Sequence, residues 1–135
     1  MSIERIPTHI EGLDENMQGG IPEGHIAIVA GASGAMKSSL TFSMLYNAVL
    51  YGETSGIYVT LEQGKDSLRS HMANMGMNVE DPRVRNRIAI IDLADLRVQL
   101  DEQGMGNRVD WMGQLIAQLT SYRNSIGFEI LVFDS

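Results

Sequence analysis

The stretch from Ile26 to Tyr51 limits what this chain can fold into more than any other part of it. An apolar run, Ile26-Ala27-Ile28-Val29-Ala30, leads into Gly31-Ala32-Ser33-Gly34-Ala35-Met36-Lys37-Ser38, and helix-period sequence from Ser39 to Tyr51 follows at once. A loop between a strand and a helix N-terminus aims consecutive backbone N–H groups and the positive end of the helix dipole at one spot, which favours a polyphosphate. Against the phosphate-loop template G-x-x-x-x-G-K-S/T, Gly31, Lys37 and Ser38 match, and Met36 stands where the second glycine is expected. Lys37 would reach the β- and γ-phosphates as a mobile point charge, and the Ser38 hydroxyl would sit on Mg²⁺. Gly31 and Gly34 keep the backbone clear of side chains where it wraps the phosphates. The expected nucleotide-binding segment is therefore Gly31, Ala32, Ser33, Gly34, Ala35, Met36, Lys37, Ser38 and Ser39. Met36 is expected to fit only with its side chain turned out of the nest and its backbone at negative φ. The plainer alternative is a small-residue turn that merely links strand to helix.

Composition narrows the rest. With 135 residues, 44% of them hydrophobic, the chain fits one domain with a packed core. It has no cysteine, which removes disulfides, thiolate nucleophiles and cysteine zinc sites and suits a reducing compartment. His9, His25 and His71 fall in separate segments without helical spacing, so they read as ordinary surface or strand residues and not as metal ligands. Nothing in the chain offers the ~20 apolar residues of a membrane span, and the N-terminus has no secretory pattern, so a cytoplasmic location is expected. A formal charge of −7 works against sequence-independent nucleic-acid binding, which is driven by counterion release around Lys and Arg. Arg83, Arg85 and Arg87, with Arg69, form the one basic cluster and read as a solvated turn after Pro82.

Four apolar, β-branched runs alternate with helix-period stretches. The runs are His25 to Ala30, Gly56 to Leu61, Arg87 to Leu93 and Glu129 to Asp134. Their hydrophobicity is continuous, which implies strands covered on both faces in a mostly parallel α/β sheet flanked by helices. Helices are expected over Ser38 to Tyr51, Asp66 to Met75 and Val109 to Arg123, with methionines as gap-filling core. Asp101 to Arg108 reads as a polar loop without an assignable role.

The segment ahead of the phosphate loop is Ile10-Glu11-Gly12-Leu13-Asp14-Glu15, followed by Gly19-Gly20-Ile21-Pro22-Glu23-Gly24. With Tyr58-Val59-Thr60-Leu61-Glu62 on the second run and Ile130-Leu131-Val132-Phe133-Asp134 on the fourth, it resembles the KaiC-like branch of the RecA superfamily of P-loop ATPases over essentially the whole chain. The resemblance implies that Asp134 is the Walker B aspartate, holding Mg²⁺ through its water shell. It implies that Glu62 orients the attacking water as the catalytic carboxylate, beside Lys37. It further implies ATP as the nucleotide, assembly into a homo-oligomeric, hexameric ring, and a regulatory protein as a possible partner. Gln63 stands where many relatives carry a second acid, which puts hydrolysis in doubt but not binding.

The same resemblance implies further strands after the fourth run, one of them between it and the phosphate-loop strand. The chain is accordingly expected to be the N-terminal portion of a longer ATPase domain. Two other functions stay open at this stage. One is a nucleotide-binding regulatory module without turnover. The other is a DNA recombination or repair ATPase, which the acidic balance does not favour.

Overall fold

A computed structural model of the protein describes residues 4–25, 27–32, 36–52, 54–61, 64–93, 95–96, 98, 111–125 and 127–134. A short strand β1 (Arg5–Ile6) pairs antiparallel with β2 (Ile21–Pro22), with helix α1 (Leu13–Asn16) between them. There follow helix α2 (Lys37–Tyr51), strand β3 (Gly56–Thr60), helix α3 (Lys65–Asn74), strand β4 (Ile88–Asp92), helix α4 (Trp111–Ser125) and strand β5 (Ile130–Asp134). The main sheet has the order β4-β3-β5, and both pairings are parallel. Register places Thr60 beside Asp92 on one side and Asp134 on the other, so two carboxylates flank the C-terminal end of the central strand. In open parallel sheets this is the end where ligands bind.

The central strand explains why its sequence is apolar without alternation. All five residues of β3 are buried. On one face Tyr58 packs with Phe42, Leu45, Tyr46 and Val49 of α2 and with Leu68 and Met72 of α3. On the other, Ile57 and Val59 pack with Ile91, Leu93 and Leu115 of α4. Gly56 lets α2 approach closely, because a Cβ there would collide with the Leu45 side chain and come 3.2 Å from the Ile130 carbonyl oxygen. Each buried aliphatic or aromatic side chain of such a core contributes about 1.5–3 kcal/mol over leaving it in water. Among the described residues no helix is long and apolar enough to cross a membrane.

Three of the four expected strands form where the sequence places them, to within one residue at either end. The first does not. Residues 27–30, expected to continue a strand from His25, form none and are exposed, Ile28 to 87%. A strand exists only through a hydrogen-bonded partner, and none of the described pairings includes this segment. Ile28 and Val29 line, together with Leu131, Val132 and Phe133 of β5, a cleft of about 710 Å³. The fourth run also differs from expectation. In β5, Ile130 and Val132 pack on the core while Leu131 and Phe133 stay 47% and 49% exposed, as befits an edge strand.

In α2 the buried face is Phe42, Leu45, Tyr46, Ala48 and Val49, while Leu40 turns outward, and the methionines expected in the core divide. Met72 fills the core, whereas Met75 and Ile116 are exposed. The 101–108 loop lies outside the described residues.

Candidate nucleotide-binding site

The segment that delivers the chain to the loop is tied together by its own polar groups. Asp14 Oδ1 accepts from the Thr8 backbone N–H at 2.9 Å and from its hydroxyl at 2.6 Å, and Oδ2 accepts from the His9 N–H at 3.0 Å. These bonds, the Thr8 hydroxyl foremost, hold the Asp14 carboxyl below its ordinary pKa. The Arg5 guanidinium donates from Nη1 to the Met17 and Gly20 carbonyls, both at 3.1 Å. Gly20 has φ +131°, and a Cβ there would strike the Ile6 carbonyl and lie 2.8 Å from Pro7 Cα. The Gly-Leu-Asp and Gly-Gly-Ile-Pro residues thus build the β1–β2 clasp, and none of these contacts involves the phosphate loop.

At the loop itself, Gly31, Ala32, Met36, Lys37, Ser38 and Ser39 are described, while Ser33, Gly34 and Ala35 lie outside the described residues. Lys37 opens α2, and its ammonium donates to the carbonyls of Gly31 at 2.7 Å and Ala32 at 3.2 Å. The carbonyls of Gly31 and Ala32 therefore lie against the lysine at the helix N-terminus. Met36 departs from the sequence expectation. Its side chain is 62% exposed, turned outward as required, but its backbone is left-handed, with φ +62° and ψ +34°. The template asks for glycine here because the fold needs positive φ, and an L-residue holds that conformation at a cost of about 1–2 kcal/mol. Ser39 is buried and directed to the Met75 sulfur at 3.6 Å, away from the loop.

Ser38 and Asp134, 96 positions apart, meet at the end of β5. The Ser38 hydroxyl donates to Asp134 Oδ2 at 2.6 Å. The same oxygen accepts the Tyr58 phenol, also at 2.6 Å. Tyr58 is fully buried on the central strand, its ring 5.3 Å from that of Phe42 in an edge contact. Burial first, and then the Asp134 hydrogen bond, push the phenol pKa well above its ordinary value, so it remains a donor throughout the neutral range. A hydroxyl and a carboxylate brought to one point are hard oxygen donors of the kind that suit Mg²⁺, which keeps several waters and takes few protein ligands. Among the described residues no three His, Asp or Glu side chains cluster as a metal cage.

Glu62 and Gln63 lie outside the described residues. Their neighbour Leu61 donates its backbone N–H to the Asp134 carbonyl at 3.0 Å, which fixes the two strand ends against each other. Asp92, at the end of β4, takes a structural role: its Oδ2 accepts from the Lys65 N–H at 3.2 Å and its Oδ1 from the Asp95 N–H at 3.0 Å. Sequence reasoning did not single out the Tyr58 hydroxyl, although a polar-tipped ring within an otherwise aliphatic buried strand was the available signal. In the basic cluster, Arg87 donates to the carbonyls of Gly52, Thr54 and Arg83, and Arg83 pairs with Asp81 at 2.9 Å. With Arg69 3.8 Å from Asp66, three of its guanidinium groups are engaged within the chain.

Comparison with known proteins gives the same picture. The family model described as the KaiC ATPase matches residues 6–135. The circadian clock oscillator protein KaiC of Prochlorococcus marinus is 26% identical over 117 residues, covering 82% of this chain and 23% of that protein. A UPF0273 protein of Pyrococcus furiosus is 31% identical over 124 residues, covering 92% of this chain and 47% of its own length. The chain thus spans less than half the length of these two relatives. The crystal structure of a KaiC-like protein from Pyrococcus horikoshii superposes with a TM-score of 0.64 at 22% identity, over 98% of this chain and 70% of that one, which shows a shared fold. With the family model matching residues 6–135 and the fold shared, this chain belongs to the KaiC family of RecA-type P-loop ATPases.

Proposed function

We propose that the chain binds Mg-ATP at the 31–39 loop and, within the intact protein, hydrolyses it to ADP and phosphate. The observation that carries this reading is the convergence of Lys37, Ser38 and Asp134 at the N-terminus of α2 and the C-terminal end of β5. On nucleotide binding, the Lys37 ammonium exchanges the Gly31 and Ala32 carbonyls for oxygens of the β- and γ-phosphates. Backbone N–H groups at the start of α2 face the same charge, helped by the helix dipole. Ser38 and Asp134 are the residues that would hold Mg²⁺, which supplies neutralisation of charge on the transferring phosphoryl group. Glu62 is assigned the attacking water: it orients the water oxygen toward the γ-phosphorus and accepts its proton. The bond from the γ-phosphorus to the bridging oxygen breaks, and ADP leaves with the electron pair. Family membership supports assembly of the intact protein into a ring, with a regulatory protein as a further partner.

A second reading, a nucleotide-operated switch without turnover, is favoured by Gln63 in place of a second acid. One pair of measurements separates the two: nucleotide affinity and phosphate release, for the wild type and for Lys37→Ala. Loss of a contact to a charged group of about 3 kcal/mol lowers affinity roughly 100-fold in the variant. Phosphate release from the wild type above the Lys37→Ala level supports the ATPase. Binding without such release supports the switch, and a folded wild type that ignores millimolar Mg-ATP defeats both.

A further inference from the structure

We infer that Tyr58 is a positioning residue for the metal-binding carboxylate, its phenol O–H fixing Asp134 Oδ2 so that Asp134 is held for Mg²⁺ when Ser38 lets go of it. This rests on the nucleotide-binding reading above and adds to it a residue on a different strand, outside both nucleotide motifs.

Asp134 Oδ2 accepts two hydrogen bonds of equal length, from Ser38 and from Tyr58. Both lie in the short range of charge-assisted O–H···O⁻ bonds. Their donors differ in freedom. Ser38 is half-buried in the first turn of a helix beside the loop, and its hydroxyl is needed by the cation. Tyr58 is fully buried at the middle of the central strand, flanked in register by Ile90 and Val132 and packed on Phe42. Its ring reaches diagonally along the sheet, from the Val132 level to the Asp134 carboxylate two residues further on. Because the ring is locked by packing, the position of its oxygen does not depend on whether nucleotide is present. A carboxylate left with one partner on a rigid element keeps its orientation, and such outer partners typically govern 10–100-fold in metal affinity.

The test is Tyr58→Phe, which retains the ring and its packing and removes only the donor. Affinity for a fluorescent ATP analogue is measured across a series of free Mg²⁺ concentrations and again in EDTA, with the folded state of each sample checked by near-UV circular dichroism. The expected result is a roughly tenfold rise in the half-saturating Mg²⁺ concentration, with metal-free affinity changed less than twofold. In an Asp134→Asn background the same substitution is expected to leave the residual Mg²⁺ dependence unaltered, because Tyr58 acts through that carboxylate. That double variant also separates positioning from a general loosening of the core, which would weaken binding with and without metal. An unchanged Mg²⁺ half-saturation in Tyr58→Phe overturns the inference while leaving the nucleotide site standing. A folded wild type that binds no nucleotide at any Mg²⁺ concentration removes the reading on which it rests.

Discussion

Two glycine-containing loops precede the main sheet, and they are built in opposite ways. The first, within residues 5–22, closes on itself: Asp14 gathers three donors, Arg5 holds two carbonyls, and the left-handed His9 is compensated by the bond from its N–H to Asp14. The second runs from residue 27 to Lys37. Its described residues through Met36 are exposed, its left-handed Met36 has no side-chain cap, and the Lys37 ammonium rests on the carbonyls of Gly31 and Ala32. Glycine content alone therefore does not separate architecture from function. What separates them is where the polar groups go: the first loop satisfies its own donors, whereas the second leaves a charge on two carbonyls, which on the reading proposed above a ligand would replace.

The sharpest way to break this contrast is Gly20→Ala. A left-handed position with φ +131° and no room beside the Ile6 carbonyl makes any side chain strained and obstructed. The expected loss is about 3 kcal/mol or more, read as a fall in the denaturant midpoint, with nucleotide affinity of the remaining folded protein unchanged. Met36→Gly probes the other loop with the opposite sign. Relief of the left-handed conformation, less the added flexibility of the unfolded chain, leaves a gain of roughly 0.5–1 kcal/mol in stability. The smallest effect is electrostatic. The Asp14 pKa is depressed below its ordinary 3.8, so its contribution to stability is fully present above that value and is lost as pH falls through the folded one. Comparing unfolding midpoints of wild type and Asp14→Asn between pH 6 and pH 2 is expected to show their separation shrinking only at the acid end.

The sequence made the sheet legible wherever burial on two faces wrote itself as unbroken hydrophobicity. Strand β3 is the clearest case, and β4 and the extent of β5 followed from the same signal. It misled at residues 27–30, because an apolar run states that a strand is suitable and not that a partner lies within 5 Å. Of the candidate site, Lys37 and Ser38 were singled out by residue type and spacing and Asp134 by the family resemblance, and the structure brings Ser38 and Asp134 into contact. Two things were not. Backbone conformation at Met36 depends on how the loop enters the helix, which residue identity alone does not encode. The Tyr58–Asp134 contact joins two strands whose neighbouring order becomes known only when the sheet is assembled.

The Lys37 ammonium and the two loop carbonyls have a kinetic corollary. On the nucleotide-binding reading proposed above, a phosphate would have to compete with Gly31 and Ala32 for the three ammonium protons, so its affinity would be a difference between two states of the lysine and not the strength of one contact. On the same reading the rivalry would work in reverse at departure, the carbonyls recapturing the charge as the anion withdraws.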